Sequence, residues 1–318
     1  MPPLATIQAA GARIAAHVHR TPVFRSTLLG ARAGVSLHLK CESLQKTGSF
    51  KVRGALNKLG ALAQRADAAR PDGVVTVSAG NHAQALAWAA RAAGVACTVV
   101  MPAAASESKA AAAAGYGAEV VRHGTSAEAF TRARELAVER ALTFVHPFDD
   151  EMIAAGAGTV GLELVEQVSD VDVVVVPIGG GGLIAGVASA VKQLRPSARV
   201  FGVEPVGAAA MRRSLDAGRP VHLDAMDTIA DGLAAPFAGE LPFAVVQRYV
   251  DDVVLVTDVE IAEAMRALLA YTKLLAEPAG AAAVAAVLGG KIPVAPGARV
   301  VAIVSGGNVD LGRLKGLL

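Results

Sequence analysis

A lysine that directly follows a Gly-Ser-Phe turn is a candidate for covalent chemistry. Lys51 stands at the predicted start of a helix, after Phe50. An amine near a helix N-terminus is more easily deprotonated, and a neutral amine can condense with an aldehyde. The alternative interpretation is a solvated lysine. The other cations nearby are predicted to be ordinary solvated side chains: Lys46, Arg53 and Lys58.

A run of four glycines follows a predicted buried strand at 172–177. Backbone N–H groups in such a run can converge on one anion, and the start of the next helix adds a favourable potential. The pattern therefore predicts a phosphate cradle rather than a flexible loop. Its residues are Gly179, Gly180, Gly181, Gly182 and Leu183.

Two further strand ends carry polar side chains. Ser78, Asn81 and His82 follow the apolar run VVTV, and with the N–H groups of the next helix they could hold a carboxylate. The alternative is that Asn81 merely caps that helix. Ser305 follows VVAI, where its hydroxyl would face the cleft and could hydrogen-bond a ring nitrogen; the alternative there is a tight turn.

Strands and helices alternate along the chain, which predicts an α/β fold of parallel sheets with helices on both faces. In such sheets ligands bind beyond the carboxyl ends of the strands, where the polar motifs lie. The predicted strands cover 74–78, 97–101, 119–122, 143–145, 172–177, 200–204 and 300–305. The predicted helices cover 82–93, 108–116, 127–140, 159–168, 183–194, 261–275 and 280–288.

Composition narrows the class of protein. The chain has 318 residues, of which 53% are hydrophobic and 18% charged, so a substantial core is expected. The net charge of +2 is too small to indicate nucleic acid or a membrane surface as a partner. Cys41 and Cys97 show no metal-ligand or disulfide spacing, and no export signal or membrane-spanning run is visible. We therefore expect a cytoplasmic protein.

Together these motifs resemble the fold-type II pyridoxal-phosphate family, in its threonine/serine dehydratase and serine racemase branch. The resemblance spans nearly the whole chain, and its five motifs occur in the family's order. They are Ser49–Gly54, Ser78–His82, Gly179–Leu183, Glu277–Gly280 and Ser305–Asn308.

The resemblance implies a role for each motif. Lys51 matches the lysine that forms a Schiff base with pyridoxal 5'-phosphate and removes the substrate's Cα proton, and Phe50 matches the residue beside the cofactor ring. Asn81 matches the partner of the phenolic oxygen, and Ser305 that of the pyridine nitrogen. The remaining implied contacts are the glycine run with the phosphate, Glu277 with the cofactor, and Ser78, Asn81 and His82 with the substrate carboxylate. Ser78 is also expected, with Lys51, to be a catalytic residue.

The implied reaction is α,β-elimination of a small β-hydroxy amino acid such as L-threonine or L-serine, which yields a 2-oxo acid and ammonia. The resemblance also implies a homodimer and a small mobile domain at 73–149, with 1–72 and 150–318 forming the large cofactor-binding domain. The alternatives within the family are an amino-acid racemase and a hydroxyaspartate ammonia-lyase.

Three departures from the family's pattern refine these expectations. Racemases carry a serine where this chain has Ala79, which argues against racemisation. Metal-dependent members bind Mg²⁺ or Ca²⁺ through a glutamate, a carbonyl and a second carboxylate; here Glu204 and the Ala208 carbonyl remain but Ala210 replaces the last, so the site is weakened. Finally, Phe130 and Phe148 stand in segments where some relatives place polar or cationic residues, which favours a neutral substrate.

Three rival functions fit parts of the same pattern. Gly180, Gly182 and Ala185 also fit a nicotinamide-binding turn, with Glu204 at the distance for a ribose contact. That interpretation leaves the lysine and Ser78–His82 motifs unexplained. A β-replacement enzyme such as a cysteine synthase is disfavoured by His82, where those relatives carry threonine. A non-catalytic binding protein is disfavoured by the intact Lys51.

Overall fold

Two mainly parallel sheets organise the part of the chain that the structure describes. The computed structural model describes residues 1–64 and 72–317, so residues 65–71 of the expected large-domain segment lie outside the described part. The first sheet has the strand order β1-β2-β10-β7-β8-β9, and the second has the order β5-β4-β3-β6. The strands are β1 (Val23–Arg25), β2 (Ser36–Cys41), β3 (Gly73–Val77), β4 (Ala96–Met101), β5 (Glu119–Arg122), β6 (Thr143–Phe144), β7 (Val173–Pro177), β8 (Arg199–Pro205), β9 (Asp252–Val256) and β10 (Arg299–Val304).

Helices cover both faces of each sheet. They are α1 (Leu4–Ile14), α2 (Thr27–Ala33), α3 (Lys51–Ala63), α4 (Asn81–Ala93), α5 (Glu107–Gly115), α6 (Ser126–Glu139), α7 (Glu151–Gln167), α8 (Gly182–Leu194), α9 (Ala210–Ala217), α10 (Glu240–Tyr249), α11 (Asp258–Thr272), α12 (Pro278–Leu288) and α13 (Leu311–Leu317). In the described part of the chain, no helix combines the length and apolar character needed to cross a bilayer.

All strand pairs are parallel except β1 with β2. Parallel strands buried on both faces are expected to be continuous apolar runs, and β7 is one. Along β7, Val173 and Val175 pack towards α11 and α12, whereas Val174 and Val176 pack towards α7 and α8. Burying each such side chain contributes about 1.5–3 kcal/mol. The α/β fold class is thus confirmed.

The strands of the second sheet all fall between residues 73 and 144. Their apolar side chains also divide between two faces: Val74 and Val99 pack with α3 and α4, while Val75 and Val100 pack with α6. The chain therefore leaves the first sheet after β2, builds the second sheet, and returns through α7 to β7. This path places the carboxyl ends of strands from both sheets around one cleft.

The helices behind the cleft pack very closely. A Cβ atom on Gly156 of α7 would lie 2.5 Å from the Arg53 carbonyl oxygen on α3, and one on Gly186 of α8 would collide with the Ala154 carbonyl oxygen on α7. Only glycine permits these approaches. The first turns of α3 and α8, which carry the lysine and the end of the glycine run, are therefore held firmly in the fold.

Candidate active site

A cavity of about 420 Å³ lies beyond the carboxyl ends of β3, β7 and β10. It collects the motifs that follow these strands, together with the start of α3. Its lining includes the predicted residues Phe50, Lys51, Ser78, Asn81, His82, Gly179, Gly180, Gly181, Gly182, Leu183, Glu277 and Ser305. Two predicted residues, Glu204 and Ala208, are not among the residues that line it.

Lys51 is fixed to the end of β10 by the backbone. The Phe50 N–H donates to the Ser305 carbonyl oxygen at 3.1 Å, and Ser49 forms an isolated bridge with Gly306. The Lys51 Nζ donates to the Pro147 carbonyl oxygen at 3.0 Å. Burial lowers the pKa of Lys51 to about 8. The cavity therefore holds an amine that is substantially neutral in mildly alkaline solution.

The glycine run forms a tight, close-packed turn at the start of α8. Gly181 has φ 98°, a left-handed conformation that favours glycine. A Cβ atom on Gly180 would collide with the ring of Phe148. Side chains are thus excluded from the run, and the start of a helix thirteen residues long lines the cavity. This arrangement suits an anion such as a phosphate group.

Asn81 connects the two sheets rather than capping a helix. The N-cap of α4 is Gly80, and no side chain caps it, so the alternative interpretation of Asn81 as an N-cap is wrong. The Asn81 Nδ2 donates to Glu277 Oε1 at 2.5 Å, and its Oδ1 accepts from Asn308 Nδ2 at 2.9 Å. Burial raises the pKa of Glu277 to about 7. The amide therefore has its orientation fixed from both sides.

Ser305 and His82 retain hydrogen-bonding capacity toward the cavity. The Ser305 hydroxyl makes one long hydrogen bond, to the Ala279 carbonyl oxygen at 3.4 Å. His82 is 3% exposed, and its Nε2 has no hydrogen-bond partner among the described residues. Burial, with a contribution from Lys51, lowers the pKa of His82 well below its ordinary value, so the ring is neutral. A buried polar atom without a partner is costly, and a ligand could satisfy it.

Ser78 and Ala79 form the turn between β3 and α4. The Ser78 Oγ accepts a hydrogen bond from the Gly80 N–H at 3.1 Å, which holds the turn open toward the cavity. The methyl side chain of Ala79 also lines the cavity. It offers no hydroxyl that could exchange a proton with a substrate.

Several cavity residues were missed by the sequence interpretation. Lys109 on α5 forms an ion pair with Asp231, which lies in the loop before α10, and both line the cavity. Phe237 lines it as well. Asp231 and Phe237 belong to an irregular stretch with no strand or helix pattern, so no periodic signal pointed to them. Asn308 belongs to the Ser305–Asn308 motif, in which the resemblance implies a contact only for Ser305.

Glu204 has a structural role at the start of α9. Its two carboxylate oxygens accept hydrogen bonds from the Met211 and Arg212 N–H groups, each at 2.8 Å. The side chain is fully buried. Among the described residues, no group of three or more His, Cys, Asp or Glu side chains could hold a metal ion. The carboxylate is therefore engaged as a helix cap, and neither the metal site nor the ribose contact uses it in this structure.

Arg53 is not a solvated cation, and that prediction is wrong. The side chain is fully buried, and its guanidinium donates to Glu42 Oε2 at 2.8 Å and to Glu163 Oε1 at 2.7 Å. Lys40 Nζ also binds Glu163 Oε2, at 2.6 Å. We call Lys40, Glu42, Arg53 and Glu163 the buried charge cluster. It joins β2, α3 and α7 behind the first turn of α3.

Comparison with known proteins agrees with this geometry. Residues 14–306 match the family model described as pyridoxal-phosphate dependent enzyme. The L-threonine ammonia-lyase of Thermotoga maritima is 44% identical over 95% of this chain and 74% of its own length. The structure of maize serine racemase is 41% identical with a TM-score of 0.93, covering 99% of this chain and 96% of that one. A solved threonine deaminase is 44% identical with a TM-score of 0.90, covering 98% of this chain and 99% of that one.

Proposed function

The chain belongs to the pyridoxal-phosphate-dependent enzymes of fold type II, and from this premise we propose that it eliminates water and ammonia from a small β-hydroxy amino acid such as L-threonine or L-serine. The products are a 2-oxo acid and ammonia, because a water molecule hydrolyses the released enamine and so replaces the water lost in the elimination. The relatives named for threonine ammonia-lyase and threonine deaminase activity support this reaction. The observation that carries the proposal is the Lys51 amine, of lowered pKa, in one cavity with the glycine run and Ser305.

The residues present fit the cofactor. The glycine run would hold the phosphate, because it lines the cavity at the start of α8 and a side chain on Gly180 would collide with Phe148. Lys51 would hold the cofactor covalently, Phe50 would flank its ring, and Asn81, Glu277 and Ser305 would contact its polar atoms. When bound, pyridoxal phosphate supplies an aldehyde for the amine and a ring that withdraws electrons from the substrate.

The side chains around the cavity then have defined roles in the reaction. The Lys51 Nζ takes the Cα proton of the substrate, which a neutral amine can do and an ammonium cannot. Ser78, Asn81 and His82 orient the substrate carboxylate, and the unpartnered His82 Nε2 supports this role. Ser305 presents a hydroxyl rather than a carboxylate to the cofactor ring. A hydroxyl does not enforce a protonated ring, which favours β-elimination over chemistry that needs a full carbanion.

Racemisation is the main alternative, since the similar structures include two serine racemases. Ala79 disfavours it because this side chain has no group to return a proton to the second face of Cα. The nicotinamide alternative is disfavoured by Glu204, whose two oxygens are already bound to the α9 backbone. For the same reason a divalent cation is not part of the proposal.

The proposal extends to how the enzyme is assembled. The segment 73–149, with its own sheet, acts as a small domain that closes against 1–72 and 150–318, and the Lys109–Asp231 ion pair supports closure because it spans the two. The enzyme is a homodimer in the cytoplasm. A subunit contact would bury some of the exposed apolar side chains, such as Phe24, Leu28 and Tyr271.

One assay tests the proposed reaction directly. The purified holoenzyme is supplied with L-threonine or L-serine, and 2-oxo acid and ammonia are measured. The expected result is equimolar release of both products from at least one substrate, without oxidation or reduction of an added nicotinamide. Release of the D-isomer without 2-oxo acid would instead establish the racemase.

A further inference from the structure

Three phenylalanines form one wall of the cavity, and nothing in the proposed chemistry uses them. We call Phe130, Phe148 and Phe237 the aromatic wall. The ring centroids of Phe130 and Phe237 are 6.3 Å apart, and those of Phe148 and Phe237 are 5.4 Å apart, with tilted or edge-on packing. Such pairs favour a fixed mutual arrangement. The wall is therefore a defined surface.

The wall spans the cleft from one sheet to the other. Phe130 comes from α6, which packs on the second sheet, whereas Phe237 precedes α10, which packs on α8. Phe148 lies directly against Gly180 of the glycine run. The wall thus begins beside the proposed phosphate position and extends away from it. All three rings line the same cavity as the proposed cofactor and carboxylate contacts.

On the side formed by His146, the backing of the aromatic wall is neutral. His146 lies 4.7 Å from the Phe148 ring and 5.6 Å from the Phe130 ring, between centroids. Its Nδ1 accepts the Asp149 N–H at 2.8 Å, and burial lowers its pKa to about 4. The imidazole is therefore neutral at physiological pH. Arg134 lies over the Phe130 ring at 5.1 Å but is not one of the residues that line the cavity.

None of the described residues that line the cavity offers an unpaired cation to a second carboxylate of the substrate. Among the described residues that line it, the lysines are Lys51 and Lys109, and there is no arginine. Lys51 is committed to the cofactor, and Lys109 is paired with Asp231. Burying a carboxylate against aromatic rings without a partner costs several kcal/mol. A substrate with a charged β-substituent would meet this penalty, while hydrogen or an alkyl group would gain apolar contact.

We propose that the aromatic wall, together with the paired state of Lys109, selects β-hydroxy amino acids with an uncharged β-substituent and rejects those with a second carboxylate. This inference rests on the proposed elimination and defines its substrate class. Phe130 and Phe237 act as specificity-determining residues, since they would contact the substrate side chain. The interpretation of the enzyme as a hydroxyaspartate ammonia-lyase is the function that it rules against.

The test compares kcat/KM for L-threonine with that for L-threo-3-hydroxyaspartate in the holoenzyme. We expect the wild-type enzyme to prefer threonine by about 100-fold or more, the discrimination expected when a charge lacks a partner. Phe130→Arg should reduce this preference by at least about tenfold, because it places a cation in the wall. Asp231→Asn should reduce it as well, since it releases Lys109 within the cavity.

Two control variants distinguish the effect of an added charge from the effect of disturbed packing. Phe130→Leu removes the ring without adding charge and should keep the preference for threonine. Val138→Arg adds a cation to the same helix at a position that is 84% exposed, and it should change neither substrate's kcat/KM. If Phe130→Arg does not fold, the wild-type ratio and Asp231→Asn still decide the question.

Failure of this inference and failure of the proposed function would give different results. A wild-type enzyme that uses both substrates with similar kcat/KM would overturn the inference and leave the proposed elimination standing. A high wild-type preference that Phe130→Arg and Asp231→Asn both leave unchanged would also overturn it. Absence of 2-oxo acid from threonine, serine and hydroxyaspartate alike would instead contradict the proposed function.

Discussion

The Lys51 Nζ donates a hydrogen bond to the carbonyl oxygen of Pro147, 3.0 Å away and 96 residues later in the chain. Pro147 lies just after the last strand of the second sheet, so this contact links the start of α3 to the opposite side of the cleft. The amine meets a neutral acceptor there instead of a carboxylate. Because no counter-charge compensates its burial, the pKa of Lys51 falls to about 8.

The lowered pKa of Lys51 predicts how cofactor capture depends on pH. A neutral amine is the nucleophile, so the protonated form below the pKa does not react and the reactive fraction grows as pH rises through about 8. We expect the rate at which the cofactor-free enzyme binds pyridoxal phosphate to reach half its maximum near that pH. Stopped-flow absorbance between about pH 6 and about pH 10 measures it. A rise that begins only near the ordinary lysine pKa would contradict the assignment.

The buried charge cluster predicts a large loss of stability in Arg53→Met. This change leaves the fully buried Glu42 carboxylate without its cation, and breaking such a pair costs about 3–5 kcal/mol. Denaturant unfolding measures the free energy of unfolding. Arg20→Met is the matched control, since Arg20 and its partner Glu166 are both mostly exposed and such a pair contributes about 0–1 kcal/mol. Equal losses in the two variants would show that the cluster is not a structural support.

The ion pair between Lys109 and Asp231 predicts a binding defect in Lys109→Met. The pair is partly exposed and, under the proposed closure of the small domain, would contribute about 0.5–1 kcal/mol, so KM for threonine should rise about two- to fivefold with a smaller change in kcat. Steady-state kinetics at several salt concentrations provides the measurement. Arg132→Met is the control because Arg132 pairs with Glu135 and Glu139 on its own helix. A similar KM shift in that control would argue against closure through Lys109.

The bonding of Glu204 predicts that the enzyme does not depend on a divalent cation. Both carboxylate oxygens cap α9, so EDTA treatment should leave kcat/KM for threonine unchanged. Glu204→Ala should lower the free energy of unfolding, since it removes two hydrogen bonds to backbone N–H groups at the start of α9. Loss of activity on chelation that Mg²⁺ or Ca²⁺ restores would instead support the weakened metal site at Glu204 and Ala208.

The sequence predicted those parts of the site that depend on local chain order. Ligand-binding turns follow strand ends, so Ser78, the glycine run and Ser305 could be found from the apolar runs before them. The comparisons confirm the family and the fold class. The helix beginning at Lys51 was predicted at its observed start. The roles of the individual residues and the division into two domains stay predictions.

Long-range partners could not be predicted in the same way. Arg53 looked ordinary because its partners Glu42 and Glu163 lie 11 and 110 residues away. The start of α7 was missed for a local reason: its glycine-rich first half lacks the apolar spacing of a helix, although Asp150 caps it by accepting the Met152 and Ile153 N–H groups. Phe237 and Asp231 join the site only through the packing of an irregular segment.

Covalent attachment of the cofactor at Lys51 is the central claim, and one measurement addresses it most directly. The holoenzyme is reduced with borohydride and digested, and mass spectrometry locates the modified lysine. The account predicts the cofactor on Lys51, with none on the nearby Lys46, Lys58 or Lys109, and no labelling or 2-oxo acid release in Lys51→Ala. Labelling of another lysine, or full activity in Lys51→Ala, would contradict it.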